Sequence, residues 1–404
     1  MAKGAGLEEL ARAYFTRQGF VAIRSVSIQF EEEEVTDVDV WLYGRQGGGV
    51  RTRALVDVKD KKSPKAFERV MWARGMQLAL GCDRAVVATT DTNAKVVRFA
   101  QQQKVALLTA AFLRRWEGDD DVLKDRLALE EFASNIQYYT EQKQDGDWLK
   151  QIAAAKSAVV SLAPYPAFNK AIKSFRFFAE RAATRPQHRE QALRGAFLSA
   201  ALACVALDAA LEKLAFEELP ARQRLLYSGV TYGDAGDNRV QGSIDTVLSV
   251  ISNGMKNGRA IARQTSDALK EMFAGLRAEI IAEFFAKEQN AIHLFTVARE
   301  LEFRAHARYR AELTALSVEA KAIIGIFADF VGAKRTPLMS SEFVTPASAP
   351  IAPRLSTPST SEPAVSASES PDVVKARGEA TTAELGASAA GMEEADPATS
   401  PKLL

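Results

Sequence analysis

The chain has 404 residues, 47% of them hydrophobic and 25% charged, and its formal net charge at neutral pH is +1. This length and composition exclude a wholly disordered chain and predict two or three domains. The small net charge neither favours nor excludes a nucleic-acid partner. The two cysteines exclude a disulfide framework and a zinc-ligand spacing. The three histidines are scattered along the sequence, which argues against a His-based nucleophilic mechanism.

The location of the protein is predicted from its apolar segments. The N-terminus, MAKGAGLEEL, lacks the apolar region of a signal peptide. The most apolar stretch, Ala196–Leu207, is too short to span a bilayer and is followed by Asp208. We therefore expect a soluble, cytoplasmic protein with no membrane partner.

Three zones follow one another along the chain. Residues 1–117 mix helix and strand patterns and carry an excess of basic over acidic residues, residues 119–334 read as almost entirely helical, and residues 335–404 hold most of the 14 prolines. The last zone is rich in Ser and Ala and has a single aromatic residue, Phe343, so we expect a disordered tail. Its removal after Lys334 is expected to leave stability nearly unchanged.

The first zone contains eight predicted elements in the order α-β-β-β-α-β-α-β. A helix over Leu7–Gln18 places apolar residues at helical spacing and ends at Gly19. The remaining elements are strands at Phe20–Phe30, Val38–Tyr43 and Arg53–Lys59, a helix at Lys65–Leu80, a strand at Ala85–Thr89, a helix at Asn93–Gln103 and a strand at Val105–Thr109. This order favours a mixed α/β sheet with helices on both faces.

The second zone is interpreted as an all-α domain. Its amphipathic runs are Ala167–Ala183, Gln187–Leu214, Arg259–Lys287 and Ala291–Val331. Such a zone fits a helical bundle or a dimerisation arm, and we expect a homodimer formed through it. The sequence leaves its role open between oligomerisation and sensing.

Carboxylates follow one face of two neighbouring strands. Residues two apart in a strand share a face, so Val38, Val40 and Leu42 are expected on an apolar face and Asp37 and Asp39 on the opposite one. In the next strand, Asp57 and Lys59 share a face in the same way.

A hairpin centred on Gly48 would set Asp39 opposite Asp57 and Asp37 opposite Lys59, provided that no bulge shifts the register. Facing carboxylates are costly unless one is protonated or a cation lies between them, which favours a site for a hard divalent cation such as Mg²⁺. In the alternative interpretation, Asp37 merely pairs with Lys59 and Asp57 is an exposed residue at a strand end.

These residues resemble motifs of the PD-(D/E)xK nuclease superfamily, with Mrr-type restriction endonucleases and archaeal Holliday-junction resolvases as the nearest subgroups. Lys3-Gly-Ala-Gly-Leu-Glu8 resembles the first-helix motif, and Gln18-Gly19-Phe20 the step that ends that helix. Val38-Asp39-Val40 matches the central aspartate, and Asp57-Val58-Lys59 matches the (D/E)xK signature. Val38 replaces a common proline, and Asp57 replaces the more usual glutamate. The resemblance covers about the first 115 residues.

The resemblance implies a restriction-endonuclease-like core and Mg²⁺-dependent hydrolysis of DNA phosphodiester bonds. Asp39, Asp57 and the main-chain carbonyl of Val58 would hold Mg²⁺, for which Mn²⁺ is an expected substitute. Glu8 would contribute from the first helix to a bound water molecule or a second ion. Lys59 would orient the attacking water and stabilise charge on the phosphate.

Basic residues follow the motif directly. Lys61, Lys62, Lys65 and Arg69 are candidate contacts to the DNA backbone, and a solvated helix face explains any one of them equally well. Gln77 is a further candidate for reaching the site. The alternative function is a catalytically inactive nuclease-like fold that binds nucleic acid or acts as a scaffold.

Overall fold

The computed structural model describes residues 3–31, 33–46, 49–59, 65–91, 93–115, 125–137 and 145–343. The predictions for Lys61, Lys62 and the tail beyond Phe343 lie outside the described residues. So does the predicted boundary at 117–119, and the two-domain division stays a prediction. The described residues up to Phe343 belong to one compact unit.

The N-terminal elements follow the predicted order. They are α1 (Lys3–Arg17), β1 (Val21–Phe30), β2 (Glu33–Arg45), β3 (Arg51–Lys59), α2 (Ala66–Ala79), β4 (Arg84–Thr89), α3 (Ala94–Gln102), β5 (Val105–Thr109) and α4 (Ala110–Arg114). Gly19, with φ of 95°, follows α1 in a backbone conformation that glycine adopts without strain, which explains why the helix stops there.

The five strands form one mixed sheet in the order β1-β2-β3-β4-β5. β1, β2 and β3 pair antiparallel, whereas β4 and β5 continue the sheet in parallel. Val40 faces Val56 and Arg45 faces Arg51, which is the register predicted for a hairpin centred on Gly48. The paired residues stop at Val40 and Val56, one position before the two aspartates.

The two faces of the sheet are covered differently. One face packs against α1 and α4 through a small cluster that includes Leu10, Val40, Val56 and Leu113. The other face, which includes Trp41, packs against α2, α3 and the helices that follow the sheet. Helices therefore lie on both faces, as the alternation of elements predicted.

Val38 was predicted on the face of Val40, and this prediction is wrong. Val38 is fully buried in the cluster that contains Trp41, as is its partner Val26 on β1. Between Arg24 and Val26, Ser25 has φ of 50°, outside the extended range, so the alternation of faces breaks at this level of the sheet. The break lies beside Asp39.

Helices make up most of the described residues after the sheet. They are α5 (Leu129–Gln137), α6 (Trp148–Ser161), α7 (Pro164–Thr184), α8 (Arg189–Glu212), α9 (Leu219–Tyr232), α10 (Asp237–Gly254), α11 (Gly258–Ala274), α12 (Ala278–Phe285), α13 (Glu288–Ala291), α14 (Leu294–Ala305), α15 (Arg310–Thr314), α16 (Val318–Val331) and α17 (Thr336–Met339). The run predicted at Arg259–Lys287 is divided by a break at residues 275–277, where Arg277 has φ of 45°.

The helix α8 forms the centre of the helical region. With the preceding 3₁₀ turn it makes the stretch Pro186–Glu212, the one helix in the described ranges that is long and apolar enough to span a bilayer. Its apolar window is 89% buried inside the protein. This burial is that of a core helix in a soluble protein.

The packed body extends beyond Lys334, where the tail was predicted to begin. The short helix α17 buries Leu338 completely, and Phe343 packs against the core. Arg189 donates hydrogen bonds to the carbonyl oxygens of Pro337 (2.8 Å) and Ser340 (2.5 Å). Residues 336–343 are therefore part of the folded body.

Candidate active site

The predicted site lies where β2 separates from β3. Past the last backbone pair, the Val58 N–H donates a 2.6 Å hydrogen bond to Asp39 Oδ2. The Asp39 carboxylate thus takes the acceptor role that the β2 backbone no longer supplies. This bond fixes the carboxylate against the strand that carries Asp57.

Lys59 lies between the two aspartates. Its Nζ is 3.3 Å from Asp39 Oδ2 and 3.5 Å from Asp57 Oδ1. The Asp57 side chain is 1% exposed and that of Asp39 9%, whereas Lys59 is 26% exposed. The structure therefore gathers three of the predicted site residues, with the ammonium at the solvent side. Lys59 pairs with these two carboxylates, not with Asp37 as the alternative interpretation expected.

Arg69 of α2 holds the second side of Asp57. Its Nε donates to Asp57 Oδ2 at 2.8 Å, and its terminal nitrogen contacts Asp57 Oδ1. The same guanidinium stacks over the Trp72 ring at 4.4 Å from the ring centre. Asp57 is thus enclosed by two cations, one from its own strand and one from the helix that follows it.

The electrostatics of Asp39 reflect its burial. Desolvation raises the pKa of this carboxyl to about 6, and the nearby charges of Asp57 and Glu8 act in the same direction. The Val58 hydrogen bond and the Lys59 charge oppose the rise in pKa. An additional cation beside Asp39 would favour its ionised form.

Glu8 is held by an arginine that the sequence analysis did not single out. Arg24 of β1 donates to Glu8 Oε2 (2.9 Å), to Glu9 Oε2 (2.9 Å) and to Glu130 Oε1 of α5 (3.0 Å). Burial would lower the pKa of Arg24, but these carboxylates raise it. An arginine in the middle of a largely apolar strand was the available signal, because such a charge is rarely buried without partners.

The other candidates lie around the cluster. Asp37 is exposed and is opposite Ser27 on β1. Lys65 is exposed and pairs with Glu68 at 3.3 Å. Gln77 is buried in the last turn of α2 and donates to the Asp83 carbonyl at 2.9 Å, toward the turn that precedes β4.

The donor set suits a hard divalent cation. Mg²⁺ is commonly bound by one or two carboxylates with water completing its shell, and Asp39, Asp57 and the Val58 carbonyl are oxygen donors of this kind. Within the described ranges, no three His, Cys, Asp or Glu side chains are grouped as a metal site. The fit therefore depends on two buried carboxylates whose present counter-ions are Lys59 and Arg69.

No family model, no curated protein and no solved structure matched the chain. A proposal about the function of the protein therefore depends on the arrangement of Asp39, Asp57, Lys59 and Arg69.

Proposed function

We propose that the chain is a Mg²⁺-dependent nuclease that hydrolyses DNA phosphodiester bonds, an endonuclease of restriction, defence or DNA repair with a restriction-endonuclease-like core. The observation that carries the proposal is the position of the Lys59 ammonium, within 3.5 Å of two buried carboxylates on the neighbouring strands β2 and β3. Buried carboxylates beside a partly exposed lysine are typical of sites where ionisation states are tuned for chemistry.

Each residue of the cluster has a distinct part in this proposal. Asp39, Asp57 and the Val58 carbonyl hold Mg²⁺, which when bound lowers the pKa of water and offsets charge on the phosphate oxygens. Lys59 donates to the attacking water or to a phosphate oxygen, and it neutralises developing negative charge there. Glu8 adds a further carboxylate from α1, oriented by Arg24.

The binding partners proposed for the protein are DNA and a second copy of the chain. Lys61, Lys62, Lys65 and Arg69 are the proposed contacts to DNA phosphates. Val247, Val250 and Met272, on the helical pair α10 and α11, expose more than half of their surface, which supports oligomerisation through the helical region. We further propose a cytoplasmic location; the burial of α8 supports only that this helix belongs to the protein core.

A second candidate function is an inactive nuclease-like module that binds nucleic acid or acts as a scaffold. The observation in its favour is that Arg69 and Lys59 already neutralise Asp57. In such a cluster the negative charge of Asp57 is neutralised without a metal ion. In that case, Asp57 would be a structural counter-ion of α2.

The deciding experiment incubates the purified full chain with linear, supercoiled and branched DNA in Mg²⁺, in Ca²⁺ and in chelator. The proposal predicts cleavage of at least one DNA form that requires Mg²⁺ and is absent from an Asp39→Asn variant of unchanged thermal stability. DNA binding without cleavage under every condition would instead support the inactive module.

A further inference from the structure

The contacts of Asp57 raise a question about how a divalent cation would reach this residue. Both carboxylate oxygens contact the Arg69 guanidinium, and Oδ1 also lies 3.5 Å from Lys59 Nζ. The Asp57 side chain is almost fully buried, whereas that of Arg69 is 25% exposed. Within the Arg69–Asp57 pair, Arg69 is therefore the residue that reaches solvent, as Lys59 does with 26% of its side chain exposed.

A bidentate arginine and a metal ion compete for the same lone pairs. Arginine presents a planar fork that matches the two oxygens of a carboxylate, and such charge-assisted pairs are roughly twice as strong as neutral hydrogen bonds. A cation binding Asp57 must replace at least one of these N–H donors. Only protein molecules in which Arg69 has left Asp57 can bind the cation. The measured binding free energy of the cation is therefore less favourable by the free energy needed to break the Arg69 contact.

The surroundings of Arg69 fit a side chain with a second position. Arg69 lies in the first turn of α2, and its guanidinium stacks on Trp72 three residues later. The helix begins after Lys65, whose φ is 49°, and its N-cap residue makes no side-chain hydrogen bond to the helix. An arginine at the start of such a helix can leave Asp57 without disturbing the buried half of α2.

We propose that Arg69 is a resident counter-ion that occupies Asp57 in the metal-free protein and must be displaced for a divalent cation to bind, so that Arg69 sets the metal affinity of the site. This inference rests on the proposed function, because it assumes that Asp57 is a metal ligand. The inference adds that α2, through Arg69, controls whether a divalent cation occupies the site.

The test compares Mn²⁺ binding to the full chain, without DNA, for the wild type, Arg69→Ala and Arg74→Ala. Titration calorimetry is performed at a pH about two units above the Asp39 pKa, so that protons do not compete. Arg74 lies on the same helix and bonds Gln77 at 2.8 Å, which makes its variant a matched control. Arg69→Ala is expected to bind Mn²⁺ roughly tenfold tighter or more, and Arg74→Ala to match the wild type.

Tryptophan fluorescence gives a readout of Arg69 itself. Displacement of the guanidinium from Trp72 is expected to change the emission of the wild type on Mg²⁺ titration. The change should be absent from Arg69→Ala and from Trp72→Phe. If Arg69→Ala does not fold, Arg69→Gln replaces it, because glutamine keeps one donor for Asp57 without the charge.

Two contrary outcomes are distinguishable. Equal Mn²⁺ affinity in the wild type and the Arg69 variants, with Mg²⁺-dependent cleavage of DNA by the wild type, would overturn the counter-ion role alone and leave the proposed nuclease function standing. If no variant binds a divalent cation and the wild type cleaves no DNA, both the counter-ion role and the proposed function are overturned.

Discussion

The Tyr43 hydroxyl of β2 donates a 2.6 Å hydrogen bond to the carboxylate of Asp208, a fully buried residue of α8. Arg45 and Arg51 approach the same carboxylate at 3.3 Å and 3.2 Å. Burial and the Asp208 charge raise the pKa of Tyr43, which therefore stays a neutral donor. A single acid of α8 thus ties the hairpin that leads to the candidate site to the helical region.

We expect Asp208→Ala to destabilise the protein by about 3–5 kcal/mol, because it leaves buried donors and a buried arginine without their acceptor. Chemical denaturation followed by circular dichroism measures the free energy of unfolding. The control is Asp267→Ala, at an exposed position on α11, with an expected effect within about 0.5 kcal/mol. Equal stability of the two variants would show that the contact contributes little.

Lys156 of α6 provides a pH-dependent contribution to stability. Desolvation, with help from the charges of Arg24 and Arg126, lowers the pKa of this buried ammonium to about 8, while Glu302 opposes the shift. Its Nζ donates to the Arg24 carbonyl at 3.0 Å. Below about pH 8 the folded protein carries a buried charge that the unfolded chain exposes to water.

Between about pH 8 and the unfolded pKa of 10.5, the unfolded chain binds more protons at Lys156, so the contribution of Lys156 to the free energy of unfolding rises with pH. Over this pH range, the expected rise in the free energy of unfolding is about 3 kcal/mol, because each pH unit contributes about 1.4 kcal/mol. We expect Lys156→Met to lack this rise when its free energy of unfolding is compared with that of the wild type across the range. The exposed Lys170→Met variant serves as control, and parallel curves for wild type and Lys156→Met would contradict the assignment.

Truncation at two points tests where the folded body ends. Cutting after Lys334 removes the buried Leu338 and leaves Arg189 without its carbonyl partners, so we expect a loss of at least about 2 kcal/mol. Cutting after Phe343 is expected to leave the Tm unchanged, because the composition beyond it is that of a disordered segment. If the two truncated proteins have the same Tm, the segment 336–343 contributes nothing to stability.

The parts of the fold that depend on local sequence were predictable. Alternating residues around the glycine run specified both strands of the β2–β3 hairpin and its register, because strand faces repeat every two residues. The same alternation failed at Val38, where the backbone of Ser25 on the neighbouring strand departs from the extended conformation. The sequence of β2 alone therefore could not predict this change of face, because its cause lies in β1.

The candidate site was predictable as a set of residue types but not as a set of contacts. The predicted hairpin set Lys59 opposite Asp37, whereas the lysine contacts Asp39 and Asp57. The fork of Arg69 on Asp57 depends on where α2 packs. The same holds for the C-terminal boundary. Arg189 binds Pro337 across a separation of 148 residues, and composition alone does not reveal such a partner.

Lys59 and Lys65 are expected to have different kinetic signatures. Lys59→Ala should lower the single-turnover cleavage rate about 10²–10³-fold with little change in DNA affinity, because the ammonium acts on charge that develops during reaction. Lys65→Ala should weaken binding to every sequence and reduce the salt dependence by about 0.9 per lost phosphate contact. A Lys59→Ala variant that cleaves normally but unfolds more easily would assign this lysine a structural role.

The most direct test of the central claim is the Mg²⁺-dependent cleavage rate of Asp57→Asn, a change that keeps the size of the side chain and removes its charge. Glu34→Gln, at an exposed position on β2, is the matched control. If Asp57 holds the catalytic cation, Asp57→Asn should lose at least about 100-fold in rate, since several kcal/mol of charge stabilisation depend on the ion, while the control keeps the wild-type rate. Cleavage by Asp57→Asn at the wild-type rate would contradict the account.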